Sequence, residues 1–195
     1  MPADVGDKVV PALVGPRVRL RQWCDDDLEP FAAMNADPAV MRHFPAALTR
    51  TESDAMAGRA RAAMATNGFG AWALEVPQIG FAGFVGLTRV PFEAPFSKLG
   101  APVTEIGWRL SRNAWGHGYA SEAARLALAH GFEVLALGEI VSFTTLGNTP
   151  SQRVMQRIGM LEAGHFENPR LPTGHPMRPH VVYRLDCGSW RERQI

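Results

Sequence analysis

The segment "NAWGHGYASEAARLALAHGF", Asn113 to Phe132, sets two glycines, Gly116 and Gly118, directly ahead of an Ala-rich amphipathic run. A strand is expected from Val103 to Leu110 and a helix from about Ala120, so the glycines fall in the connecting loop. The first backbone N–H groups of such a helix have no partners of their own and point at the loop, which makes the helix start an anion site. Glycine lets the backbone curl and approach a bulky phosphate closely, and Ser121 adds a hydroxyl. A pyrophosphate suits this arrangement. A GxxxxGK phosphate loop is excluded, because no lysine follows. A dinucleotide fingerprint needs glycine or alanine where Ser121 stands and an acidic residue about twenty positions on; Glu139 is near that distance but begins a strand rather than ending one. On spacing alone, that reading and a bare helix-start turn with no ligand stay open. His117, inside the loop, contributes backbone more than imidazole, although a protonated ring would meet a phosphate.

Several elements must position this loop. "RVRLRQW" (Arg17 to Trp23) alternates polar and apolar residues and reads as a strand; Cys24 to Phe44 follows as a helix with an acidic start, broken at Pro38. Thr49 and Glu52 stand at capping-box spacing, and Asn67-Gly68 stops the helix they open. Strands are expected at "GAWALEV", "FAGFVGLTRV" and "VTEIGWRL", the last two separated by a Pro-rich loop from Pro91 to Pro102. The quoted helix runs to about Leu137, "EIVSFTT" is a β-branched strand, and "NTPSQRVMQRIGM" is a short helix with Gly159 at the left-handed cap position. "MLEAGHFE" and "HVVYRLD" are strands around the loop Asn168 to Pro179. The order is mixed α/β, with strand-helix-strand alternation only in the middle.

Composition bounds the function. With 195 residues, 46% hydrophobic and 20% charged, the chain fits a single domain, 1–195, with a substantial core. Twenty basic and nineteen acidic residues leave a net charge of +1, so no global field draws it to nucleic acid or anionic lipid. Nothing approaches the roughly 18 apolar residues of a membrane span. The run Val9 to Val14, interrupted by Pro11, is too short for a signal-peptide core. Cys24 and Cys187 lie at opposite ends of the chain and read as free thiols in a reducing cytoplasm. His165, His175 and His180 lack metal-site spacing, so no metal is expected.

The surroundings of the loop make it specific. "TEIGWRLSRNAWGHGYASEA", followed downstream by "NTPSQRVMQRIGM", resembles the GNAT superfamily of acyl-CoA N-acyltransferases, especially its RimJ/RimL-type branch. Trp115, Gly116, His117, Gly118, Tyr119 and Ala120 occupy the positions of that family's Q/R-x-x-G-x-G/A loop, in the W-G-x-G-Y-A form of the branch. Asn148, Ser151, Arg157, Gly159 and Met160 match its second motif. The resemblance implies a central, mixed, mostly antiparallel seven-stranded sheet and about four helices. Its fourth and fifth strands, here Val103 to Leu110 and Glu139 to Thr145, would be a splayed parallel pair. Acetyl-CoA would be the acyl-donor cosubstrate, its pantetheine arm in the V between those strands, bonded to backbone near Trp108 and Leu110. Its pyrophosphate would rest on the N–H groups from about Gly116 to Ser121.

The implied reaction moves the acetyl group to a primary amine, a peptide N-terminus or a small amine, by direct attack in a ternary complex. An α-amine of pKa near 7.8 is roughly one-tenth neutral at pH 7, far more than a lysine, and needs less help from a base. Glu105 matches the position from which family members deprotonate the amine through water; its plain structural reading is a solvent-facing strand residue. Ser151 matches a hydroxyl that hydrogen-bonds the departing sulfur, and Met155 stands where many relatives carry a tyrosine. Asn148 is implied to face the pantetheine amide, although Asn148 or Thr149 also suits a helix cap, with Pro150 at the first helical position and Ser151 in the first turn. Glu162 matches a second carboxylate of the branch but reads as a strand-edge residue. Arg153 and Arg157 either reach the nucleotide or form a solvated face. The loops Pro91 to Pro102 and Asn168 to Pro179 and the N-terminal helices would form the acceptor cleft, with His43, Phe44, Trp72 and His180 lining it. A monomer or homodimer is expected. The alternatives are a non-catalytic acyl-CoA-binding regulatory module or a dinucleotide-binding enzyme.

Overall fold

A computed structural model describes residues 9–97 and 102–193. One sheet holds eight strands: β1 (Leu13–Val14), β2 (Arg19–Arg21), β3 (Ala71–Val76), β4 (Gly80–Arg89), β5 (Thr104–Leu110), β6 (Glu139–Thr145), β7 (Leu161–Glu167) and β8 (Pro179–Asp186). Their order is β1-β2-β3-β4-β5-β6-β8-β7, antiparallel throughout except for β5 and β6. The helices are α1 (Leu28–Ala36), α2 (Pro38–Met41), α3 (Arg50–Asn67), α4 (Tyr119–Ala129), α5 (Thr149–Arg157) and α6 (Cys187–Glu192). The mixed, mostly antiparallel sheet is as expected, but among the described residues its strands number eight rather than seven and the α-helices six rather than about four. The additions are β1, whose two residues carry no readable alternation, α6, capped by Asp186 immediately after a strand, and the separation of the first expected helix into α1 and α2 at Pro38.

Local signals place the helices. Thr49 Oγ1 accepts from Glu52 N–H at 3.3 Å while Glu52 Oε2 accepts from Thr49 N–H at 2.8 Å, and Gly68 ends α3 at φ +78°. Asp37 Oδ1 caps α2 with Pro38 at its start, so the break falls where proline demands it. The expected run of α4 to Leu137 is not observed: the α-helix ends at Ala129 and a wider π-turn, His130–Val134, follows. Gly131 explains the tight fit there. A Cβ on it would lie 2.7 Å from Ile140 Cδ1 and 3.0 Å from Leu87 Cδ1, so the turn presses directly on β4 and β6.

The two faces of the sheet carry different partners. Leu87, Ile106 and Ile140 pack beneath α4 and its π-turn, while Phe31 of α1 meets Phe81 and Phe84 of β4 on the other face. Close approach of β4 to β5 depends on Gly83, at φ +133°, where a Cβ would stand 2.1 Å from the Arg109 carbonyl oxygen. Gly83→Ala is therefore expected to destabilise the fold by at least about 2 kcal/mol, seen as a lower urea midpoint.

The parallel pair barely touches. Glu105 and Val141 are its only registered partners, and the Ser142 hydroxyl donates to the Ile106 carbonyl at 2.9 Å just beyond them. From there the strands part, and the V opens toward the ends that lead into α4 and α5. Ser111 N–H donates to Ala82 C=O, so the odd-numbered residues of β5 bond to β4. The backbone groups of Ile106, Trp108 and Leu110 therefore point into the gap.

Candidate active site

At the mouth of α4 the amides are uncapped. Gly116 and Gly118 take φ +81° and +80°, and no side chain caps the helix. The N–H groups from Gly116 to Ser121 have no acceptor among the described residues, whereas Glu122 N–H already bonds to Gly118 C=O at 3.1 Å. Ser121 Oγ is buried beside them without a partner. An orphaned buried hydroxyl next to successive unpaired amides is the donor set that a diphosphate satisfies. The residues present fit the phosphate end of acetyl-CoA.

The rest of the loop is braced. Trp115 Nε1 donates to the Leu110 carbonyl at 2.8 Å, and the His117 ring stacks on Tyr119 at 5.3 Å between centroids. Arg17 holds Glu122 at 2.7 Å, donates to the His117 carbonyl at 3.0 Å and lies 5.3 Å from the Tyr119 ring centre. It thereby ties the β1–β2 turn to the first turn of α4. Sequence reasoning missed Arg17, because nothing local announces a partner 105 positions away.

At the narrow end of the V stands Glu105. Its Oε1 lies 3.9 Å from where a Gly107 Cβ would be, so the carboxyl runs along β5 over a residue that has no side chain. No hydrogen bond to it is made by the described residues, and burial pushes its pKa up to about 8 against the opposing pull of Arg170. Arg170 belongs to the loop between β7 and β8. By accessible surface Glu105 is half-buried, between a core position and the solvent-facing strand position of the plain structural reading.

The start of α5 lies at the wide end of the V. Asn148 Oδ1 accepts from Ser151 N–H at 3.3 Å and its Nδ2 donates to Thr144 Oγ1 at 2.8 Å, so the amide caps α5 and fastens it to β6. Each end of that amide keeps capacity for one further bond. Met155 is buried under the helix. The Arg125 guanidinium reaches the Arg157 carbonyl at 2.6 Å and joins α4 to α5.

The expected acceptor residues separate on folding. Phe44 lies over Arg109, its ring centre 4.0 Å from the guanidinium carbon, on the same face of β5 as Glu105. His43 accepts from Arg42 Nε at 3.1 Å, and burial together with the Arg42 charge lowers its pKa. Trp72 has no accessible surface; it packs edge-on to His130 and donates to the Pro11 carbonyl at 3.1 Å, which places it in the core rather than along a cleft. His180 is buried under the β7–β8 loop, with Nδ1–H donating to the Arg178 carbonyl at 3.0 Å and Nε2 accepting from Asn168 at 3.3 Å. Burial lowers its pKa, which matches that neutral tautomer. Beside it Phe92, Phe96, Phe143 and Phe166 form an aromatic cluster next to Val141. Of the loop Pro91 to Pro102, residues 98–101 lie outside the described residues.

Other features bound the chemistry. Two open hollows, of about 660 and 460 Å³, flank the β3–β4 turn and touch none of these residues, so the chemistry is located by donor and charge geometry rather than by cavity size. Among the described residues no group of three or more His, Cys, Asp or Glu side chains is placed to hold a metal ion. No described helix is long and apolar enough to cross a membrane.

Comparison with known proteins bears on this geometry. The family model described as "Acetyltransferase (GNAT) domain" matches residues 17–161. The FsC-acetyl coenzyme A-N(2)-transacetylase of Aspergillus fumigatus is 31% identical over 169 residues, 83% of this chain and 69% of that protein. YkkB of Bacillus subtilis, described as uncharacterized, is 31% identical over 150 residues, 76% of this chain and 84% of its own. A crystal structure of a GNAT-family acetyltransferase from Bacillus anthracis superposes with a TM-score of 0.75 at 24% identity, covering 91% of this chain and 99% of that one.

Proposed function

The chain belongs to the GNAT acetyltransferase family and is an acetyl-CoA-dependent N-acetyltransferase, and from that premise we propose that it acetylates a primary amine, a peptide N-terminus or a small amine, by direct attack in a ternary complex. The observation that carries the site assignment is the run of unpaired amides from Gly116 to Ser121 at the end of a parted β5–β6 pair. The W-G-x-G-Y-A loop supports placement in the RimJ/RimL-type branch, and a sheet that takes strands from both ends of the chain supports one acetyltransferase domain.

Bound acetyl-CoA supplies an acyl thioester and a thiol leaving group. Amides 116–121 and the Ser121 hydroxyl hold its diphosphate, while the backbone of Trp108 and the free capacity of Asn148 orient the pantetheine arm. Glu105, in its ionised form, takes the proton of the acceptor ammonium, directly or through one water. The Ser151 hydroxyl, in the first turn of α5, donates a hydrogen bond to the sulfur as it leaves. A thiol of pKa near 8.5 leaves with modest help, so Ser151→Ala is expected to lower kcat by only about tenfold. Single-turnover measurements check this; a kcat equal to wild type would remove Ser151 from the reaction.

The direct test of the proposal has two parts. Acetyl-CoA should raise the melting temperature, and a panel of peptides and small amines should yield free thiol with acetyl-CoA. Stabilisation without thiol from any amine would leave the site assignment standing and sink the acceptor reading.

A further inference from the structure

Arg109 is a buried cation that the transfer chemistry above does not use. It is 9% exposed, stands 4.0 Å from the Phe44 ring centre and 5.7 Å from that of Phe84, and burial lowers its pKa to about 10, so it stays charged at neutral pH. Nη1 donates to Asn35 Oδ1 at 2.6 Å, and Asn35 Nδ2 donates onward to Ser53 Oγ at 2.8 Å. Nε is buried without an acceptor, and Nη2 has none among the described residues. Other partly buried arginines hold carboxylates: Arg21 with Asp27 at 2.8 Å, Arg178 with Glu167 at 3.0 Å and Arg184 with Glu139 at 2.5 Å. Arg109 has no such partner among the described residues. A guanidinium taken out of water without a counter-ion is costly, and a missing internal anion therefore calls for explanation. Asn35 sharpens the point, because an aspartate of the same size would neutralise the charge where the amide leaves it whole.

The cation lies on the acceptor side. Arg109 shares a face of β5 with Glu105, and Phe44 covers it from the segment between α2 and α3. We propose that Arg109 is the anion receptor of the acceptor site: the amine that is acetylated carries a carboxylate, which docks on the unpaired Nη2 edge. This rests on the transfer reading above and narrows it. Four strand steps, about 13 Å between Cα atoms, separate Glu105 from Arg109, a span suited to a short acidic peptide. A polyamine would set a second positive charge against an uncompensated one.

Two peptide amides that differ only in side-chain charge, Ser-Ala-Glu-amide and Ser-Ala-Gln-amide, test this. With acetyl-CoA, kcat/KM should favour the Glu peptide by about tenfold or more, the worth of one charge-assisted hydrogen bond. Arg109→Gln should remove that preference. Asn35→Asp, which keeps Arg109 and supplies an internal carboxylate, should also remove it while leaving the fold as stable or more so. A purely structural Arg109 shares the effect of Asn35→Asp on stability but predicts that selectivity is left unchanged. Calorimetric binding of both peptides to the CoA-loaded protein gives the same ratio independently of turnover. A binding preference without thiol release would uphold Arg109 and sink the transfer reading. Equal handling of the two peptides by the wild type, or a preference that survives Asn35→Asp, overturns the proposal, and this holds even if Arg109→Gln fails to fold.

Discussion

Glu105→Gln is expected to lower kcat/KM for a peptide acceptor by about a hundredfold or more, the usual worth of a positioned base, while the KM for acetyl-CoA stays near the wild-type value. The substitution keeps the size of the side chain and its place over Gly107, and removes only the capacity to take a proton. The proposed role requires an ionised Glu105, and burial holds its pKa at about 8, so the wild-type rate should rise with pH through that value. An α-amine titrates near 7.8 and would produce the same limb by itself. Two comparisons separate the sources. In Glu105→Gln, only the limb of the amine remains, and with a much less basic acceptor the wild-type limb stays in place while that of the variant moves down. A variant with wild-type rates and an unaltered profile would leave deprotonation to solvent and remove Glu105 from the mechanism.

The same carboxyl makes folding depend on pH. Its pKa in the folded protein lies above the ordinary carboxylate value, so the native state binds the proton more tightly than the unfolded chain. The stabilisation this brings is complete below about pH 4.5 and is lost as the pH rises toward about 8. The urea midpoint of the wild type should therefore fall across that window relative to Glu105→Gln, whose amide does not titrate. With Glu105 as the base, stability and activity are expected to move in opposite directions over one pH range, because one proton would control both.

Features set by neighbours in the chain were legible in the sequence. The Thr49–Glu52 box and the Gly159 stop are short-range hydrogen-bond and φ requirements that occur where the residues predict, and of the two caps open to α5, Asn148 and Thr149, the structure uses Asn148, with Pro150 second in the helix. The uncapped start of α4 is of the same kind, since any helix leaves its first amides unpaired. That no distant segment covers those amides is a long-range fact. Trp72 shows the limit clearly: both faces of β3 are covered, so alternation cannot tell a cleft residue from a core one. Arg109 reads as an ordinary polar position in a strand; the register of β5 against β4, the fold-back of Phe44 and the approach of Asn35 from α1 bury it. Its missing counter-ion is a property of the assembled structure and has no local signature.

A carboxylate built into the mouth of α4 is expected to cost about two orders of magnitude in acetyl-CoA affinity without unfolding the protein. Gly116 is the position for it. A Cβ there has no neighbour within 4 Å, and its φ of +81° is one that Asn and Asp enter more readily than other side chains. Gly116→Asn and Gly116→Asp therefore carry nearly the same backbone strain and differ in one charge. A carboxylate about 5 Å from a phosphate, at an effective dielectric near 20, is repelled by about 3 kcal/mol, or roughly a hundredfold in Kd. Calorimetry with acetyl-CoA should show that ratio between the two variants, shrinking as salt is added because the site opens to solvent. Their melting temperatures without ligand should agree, which separates loss of binding from loss of fold. Equal affinities would mean that the diphosphate lies elsewhere, and the unpaired amides from Gly116 to Ser121 would then be satisfied by water alone.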